Sequence, residues 1–157
     1  MEINEYTTEV NRHNRLTNLV LKRVTNYYTI DRTLSAPETI VSMMNMSYHM
    51  DTKAEEYCYM LSVDTKCHPI GLFEISHGNC NSALIGVREI FVRALLSGAV
   101  HLIFIHNHPS GIADPSHEDD ELCRRLQKGA DLLGLKVLDF IVVGDHQYFS
   151  FMEENRI

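Results

Sequence analysis

The sequence predicts an α/β domain, a mixed β-sheet flanked by helices, preceded by a short N-terminal helical extension. Three observations support this. From Glu56 onward, short β-branched and aromatic runs alternate with stretches of helical periodicity. Before residue 54 the apolar positions recur at helical spacing instead. The charge also divides there: residues 1–53 carry six acids and six bases, whereas residues 54–157 carry fifteen acids and eight bases. The expected organisation is therefore an extension over 1–53 and a domain over 54–157.

Each element has a local reason. Residues 6–28 read as a helix because Leu16, Leu19, Val20 and Val24 share one helical stripe. Ser35 reads as the N-cap of a second helix, with Pro37 and Glu38 in its first turn and Ile40, Val41 and Met44 along it. Tyr57 to Val63 and Ile70 to Ile75 read as two strands joined through Asp64-Thr65-Lys66. Arg88 to Leu96 reads as a helix stopped by Gly98. Val100 to Ile105 is almost wholly apolar with three β-branched side chains, a buried strand by composition and length. A last helix runs from Ser116 to Leu133, with Leu122, Leu126, Ala130 and Leu133 as its buried stripe and Gly134 as its stop. Strands over Lys136–Val143 and Gln147–Phe151 follow.

Chemistry concentrates between the buried strand and that helix. His106 and His108 are two apart just past the strand, so in extended backbone both rings leave on the same side. Pro109, Ser110 and Gly111 force a turn, and Ser116 and Asp119 open the helix. Two rings from a strand end and one carboxylate from a first helical turn can meet at one point. Such a nitrogen and oxygen set suits Zn²⁺ with its fourth position open to solvent, the arrangement of catalytic sites. Ser116-x-x-Asp119 is also the pattern of an N-terminal cap. Cap and ligand are separate readings of the same four residues.

The spacing His106-x-His108-x7-Ser116-x2-Asp119 resembles the core motif of the JAMM (MPN-plus) metalloproteases. The longer run His106 to Gly111, with Pro115 before Ser116, resembles the RadC-like branch, as do Leu61 to Asp64, Gly78 to Ser82, Arg88 to Phe91, Val137 to Asp139 and Gly144-Asp145. The resemblance covers the chain from Glu56 to the C-terminus. It implies a JAMM/MPN-like fold, whose layout is similar to that of cytidine deaminases. It implies His106, His108 and Asp119 as metal ligands. Counting back eight residues from Asp64, it also implies Glu56 as general base for a metal-activated water. Ser116 would donate to the oxyanion. Two positions depart from the RadC-like pattern: Gly86-Val87 stands where His-Pro usually precedes the Arg-Glu pair, and Phe140 stands where a histidine usually follows Leu-Asp. These bear on substrate contacts or local packing.

Composition bounds the function. With 45% hydrophobic and 22% charged residues the chain is of ordinary globular type, and its net charge of −7 disfavours non-specific binding to nucleic acid. Arg12, Arg15, Lys22 and Arg23 read as a solvated face. Cys58, Cys67, Cys80 and Cys123 form no CxxC pair, which suits reduced thiols and a cytoplasmic location. The polar N-terminus lacks a signal-peptide core, and no apolar run reaches membrane-spanning length. The expected activity is zinc-dependent hydrolysis of peptide or isopeptide-type amide bonds in a protein or peptide substrate. A DNA-repair-associated nucleic-acid-processing protein or metal-dependent nuclease is the alternative. A zinc deaminase is disfavoured because H-x-E with P-C-x-x-C is absent.

Overall fold

The computed structural model describes residues 2–13, 16–28, 33–78 and 86–157. Among these residues seven strands form one sheet: β1 Glu2–His13, β2 Leu16–Tyr28, β3 Glu56–Val63, β4 Pro69–Gly78, β5 His101–Asn107, β6 Lys136–Val143 and β7 Tyr148–Ser150. Three helices flank it, α1 Pro37–Tyr48, α2 Val87–Ser97 and α3 His117–Leu132. The strand order is β2-β1-β4-β3-β5-β6-β7. β1 runs parallel to β4 and β5 parallel to β6, while the remaining neighbours are antiparallel, so the sheet is mixed as expected.

The central strand explains the apolar run. β5 is buried along nearly its whole length because both faces of the sheet are covered there. Successive side chains alternate between two cores. Phe104 joins Met60, Phe140 and Val142 beneath α2 and α3, where Phe91, Leu122, Leu126 and Ala130 close the layer. Ile103 and Ile105 join Leu61, Ile141 and Val143 on the opposite face, under Ile40 and Met44 of α1. The α2–α3 side will carry the functional residues.

The helix expected over residues 6–28 is corrected: the described residues of that range, 6–13 and 16–28, lie in β1 and β2, which pair antiparallel. The N-terminal extension is therefore not helical there, although α1 follows it. Both segments are rich in Thr, Val and Tyr, which suit a pleated, half-buried surface. Two members of the supposed helical stripe, Leu19 and Val24, are exposed, whereas Leu21, outside that stripe, packs against the α2–α3 core. Ile3 and Tyr6 enter the two cores from β1, whose Glu5 pairs with Leu72 of β4. Tertiary pairing with β4 outweighed a local pattern that fits either period.

The other elements lie close to their expected positions. Ala36, not Ser35, caps α1, with Pro37 opening the helix. Gly98 ends α2 at φ 70, in the left-handed region. Leu133 is corrected as a core position: it is the C-cap residue of α3 and is 44% exposed, because the helix has already ended. Lys22 pairs with Glu9, and Lys22 and Arg23 are exposed as expected, though on a strand. Arg15, Cys80 and the motif residues 79–82 lie outside the described residues, as does the side chain of Arg12.

Candidate metal centre

His106 is the penultimate residue of β5, and its side chain is on the α2–α3 face. It is directly opposite Cys58 of β3 in the antiparallel register. Two residues before Cys58, Glu56 is on that same face. Two residues past His106, the backbone N–H of His108 donates to the Val143 carbonyl at 2.9 Å, so the chain keeps following β6. The His108 Nδ1 donates to the Ile112 carbonyl at 2.8 Å. That bond sets the tautomer of the neutral ring, whose lone pair is then on Nε2, facing the site.

The loop supplying Ile112 is held from beneath. Gly111 accepts at its carbonyl from the Asp145 N–H at 2.8 Å and from Gln147 Nε2 at 2.7 Å. This contact requires Gly144: a Cβ there would be 2.4 Å from the Gly111 carbonyl oxygen and 2.9 Å from the Ala113 nitrogen. The Gly144-Asp145 motif thus acts at a distance, by fixing the loop that orients His108.

Asp119 arrives from the other side. Ser116 caps α3: its Oγ accepts from the Asp119 N–H at 3.1 Å, and its hydroxyl and backbone N–H both donate to Asp119 Oδ2 at 2.7 Å. The cap is therefore present, and it is compatible with the ligand reading, since it pins the carboxylate in place. Asp119 Oδ1 lies 3.2 Å from His106 Nε2, and Oδ2 lies 3.3 Å from His108 Nε2.

Among the described residues these three form a group whose ligand atoms all lie within 4.8 Å of one another. His106 Nε2 is buried, yet it makes no hydrogen bond despite its closeness to Asp119. A buried nitrogen left unpaired is costly unless something else satisfies it. Two imidazole nitrogens and a carboxylate aimed at one point fit a divalent cation. The protonation tendencies of His106 and Asp119 agree with that, while without a cation His108 leans toward its charged form. Burial pulls His106 down to about 4, against the pull of the Asp119 charge, so its ring is neutral at neutral pH. Burial would raise Asp119, but its hydrogen bond to His108, the field of His106 and the Ser116 donors outweigh it and hold the carboxyl well below the usual range. The hydrogen bond to Asp119 raises His108 against its partial burial.

The cluster opens onto a cleft of about 720 Å³, lined by Glu55, Glu56, His108, Pro109, Ser110, Ser116, Glu118 and Asp119 among others. Glu56 and Ser116, the two residues expected to act beside a metal, thus face the same space as His108 and Asp119. Glu56 also acts through space on both rings, favouring their charged forms. His117 is exposed beside Glu121, and Cys123 is buried with its thiol pushed up to about 12 by burial. Neither joins the site.

The RadC-like JAB domain family matches residues 34–156. The chain belongs to that family. It is similar to the UPF0758 protein of Trichlorobacter lovleyi, 43% identical over 103 residues that cover 66% of this chain and 44% of the relative. It is similar also to the UPF0758 protein of Desulfitobacterium hafniense, 37% identical over 121 residues covering 76% and 52%. A third, the UPF0758 protein of Geotalea uraniireducens, is 40% identical over 99 residues covering 63% and 43%. The chain spans about half the length of the curated relatives it matches. JAB domains form a metal-dependent hydrolase family, and the cluster on β5 and α3 is a possible metal site of that kind.

Within this RadC-like JAB domain both sequence departures have structural answers. Phe140 is buried on β6 with its ring 5.3 Å from that of His106, so it packs behind the cluster rather than facing the cleft. Gly86 is the N-cap of α2, and Val87 packs against the α2–α3 core. β1 and β2 precede the matched region. The residue that sequence reasoning missed is Asn107. It is a polar side chain 1% exposed within an apolar strand, and its parity alone separates it from the two histidines.

Proposed function

We propose that this protein is a zinc-dependent hydrolase of peptide or isopeptide-type amide bonds, acting on a protein or peptide substrate. One observation carries the reading: three ligand atoms within 4.8 Å of one another border a cleft that Glu56 and Ser116 also line. His106, His108 and Asp119 would hold the metal. Zinc held there would supply Lewis acidity toward the scissile carbonyl and toward water, whose pKa such a site lowers from ~15.7 to about 7.

The chain's own groups do the rest. Glu56 accepts a proton from the attacking water and returns it to the leaving amine nitrogen as the C–N bond breaks. The Ser116 hydroxyl donates to Asp119 Oδ2 in this structure, so serving the oxyanion requires it to turn toward the cleft. The Ile112 carbonyl keeps His108 in the ligating tautomer throughout.

The nuclease alternative is not favoured. The described cleft lining includes Glu55, Glu56, Glu118 and Asp119 and no lysine or arginine, a poor setting for phosphate. No role in DNA repair is proposed. Cys58, Cys67 and Cys123 are free thiols, which supports a reducing, cytoplasmic setting. Among the described residues no helix is long and apolar enough to cross a membrane.

Elemental analysis of protein purified without added metal tests the centre. About one zinc per chain is expected, lost in His106→Ala, His108→Ala and Asp119→Ala while circular dichroism stays native. Iron, which accepts the same donor set, is the competing result and would defeat the zinc assignment. A panel of peptide and lysine-branched amides, with Glu56→Gln as control, then tests the reaction. Metal-dependent nicking of DNA abolished by Glu56→Gln would favour the nuclease instead.

A further inference from the structure

We infer that Asn107 is a positioning residue whose side-chain amide holds Glu56 at the cleft, by gripping the main chain on both sides of it. Its Oδ1 accepts from the Tyr57 N–H at 2.8 Å, and its Nδ2 donates to the Glu55 carbonyl at 3.0 Å. Glu56 is the residue between those two contacts. The inference rests on the reading of Glu56 as general base.

The register explains why a side chain is needed. The β3–β5 ladder runs from Val63↔His101 to Cys58↔His106 and stops there. Beyond that pair β5 stays with β6, through the His108 N–H to Val143 carbonyl bond. The start of β3 is left with β4 on its other side, where Glu56 pairs with Gly78. The space that opens between β3 and β5 is occupied by the Asn107 amide, which supplies one acceptor and one donor as a peptide group would. Strand alternation assigns the work: His106 and His108 are on the cleft side, and the residue between them is free to turn toward β3. One three-residue run thus carries two of the proposed ligands and the group that sets where the proposed base stands.

The chemistry restricts the position to asparagine. Aspartate keeps the acceptor but sets a carboxylate against the Glu55 carbonyl. Leucine fills the space and takes the side-chain partner away from a part-buried N–H and C=O. Alanine removes both contacts. A base displaced by as little as 1 Å costs about 10²-fold in rate, so the loss of the clamp acts through Glu56 without touching the metal ligands.

The test uses the full chain loaded with zinc, in wild-type, Asn107→Ala and Asn107→Asp forms. Three readouts are taken: amide exchange at Tyr57, the side-chain ¹³C carboxyl resonance of Glu56 (assigned by its loss in Glu56→Gln), and kcat and KM on a fluorogenic lysine-branched peptide. In Asn107→Ala the zinc content stays at the wild-type level, Tyr57 exchanges faster and the Glu56 resonance moves or broadens. The kcat falls by about 10²-fold at nearly constant KM. In a Glu56→Gln background the same change has little further effect on rate, as expected of residues acting through one group. Asn107→Asp, the variant to read if alanine does not fold, keeps Tyr57 protected and still shifts the Glu56 resonance.

Unchanged Tyr57 exchange and an unmoved Glu56 resonance in Asn107→Ala would overturn the clamp and leave the hydrolase reading standing. An undiminished rate effect in the Glu56→Gln background would also overturn it, since Asn107 would then act elsewhere. Full activity of Glu56→Gln alone is a different failure, because it removes the general base on which both readings rest. With a wild-type protein inert toward the peptide, the exchange and carboxyl readouts still decide the clamp.

Discussion

The ring of Phe140 stands 5.3 Å from the ring of His106, tilted by 55°, and packs in turn against Phe104 and Phe151. A histidine is usual here in the RadC-like pattern, so this chain has replaced a polar neighbour of the cluster with an apolar wall. The wall contributes to the burial that keeps His106 neutral. Phe140→Ala is expected to cost about 3–5 kcal/mol, measured as a shift of the urea midpoint, because it leaves a cavity among the rings of Phe104, His106 and Phe151. It should also raise the His106 pKa toward its ordinary value, followed by NMR titration of the metal-free protein. A loss below ~1 kcal/mol would show that the wall is not packed as described.

Gly144→Ala tests whether the loop beneath His108 is as tightly held as the close approach of Gly111 implies. The added Cβ meets backbone atoms, which cannot rotate away. The expected loss is about 1–3 kcal/mol in thermal unfolding, accompanied by weaker metal binding in competition with a chelator. Unaltered metal affinity would break the proposed link from Gly144 through Ile112 to His108.

Ser116→Ala separates the two roles of the cap. Removing the hydroxyl should cost about 1 kcal/mol of stability through α3. As an oxyanion donor it should also cost about 10²–10³ in kcat. A stability loss with full turnover would assign Ser116 to the cap alone.

Asp139 predicts a pH dependence unrelated to the metal ligands. It is 3% exposed, and its carboxylate accepts from Ser150 Oγ at 2.6 Å and from the Phe140 and Met152 N–H groups at 2.8 and 3.0 Å. Burial raises its pKa, and those hydrogen bonds only partly oppose it. Its folded form therefore holds a proton at pH values where the unfolded chain has already lost it. The stability this one carboxyl contributes is greatest below the ordinary carboxylate pKa and falls as pH rises from there through the raised folded value. Asp139→Asn should flatten that slope in urea titrations run across the acidic range, and an unchanged slope would contradict the assignment.

The candidate metal site was readable because its signals are local. The apolar run before His106, the forced turn at Pro109 and the cap at Ser116 each follow from short-range chemistry, and their spacing in the chain already confines where the ligands can meet. Glu56 needed the family pattern, since nothing nearby distinguishes it from Glu55. Asn107 was missed because its role is to bond the main chain of β3, some fifty residues away in sequence. The N-terminal hairpin was misread for a related reason: Leu16, Leu19, Val20 and Val24 fit a helical stripe, and only pairing with β4 chooses the strand.

What the sequence determined by itself was therefore the central strand, the capped helix after it and the spacing that lets His106, His108 and Asp119 meet, all products of backbone geometry within a few residues. What only the tertiary structure decided was which distant partners meet: β1 against β4, Phe140 behind His106, Gly144 under the loop and Asn107 across to Glu56. Contacts of that kind depend on strand order and register, which a single sequence encodes only through the summed packing of the whole chain.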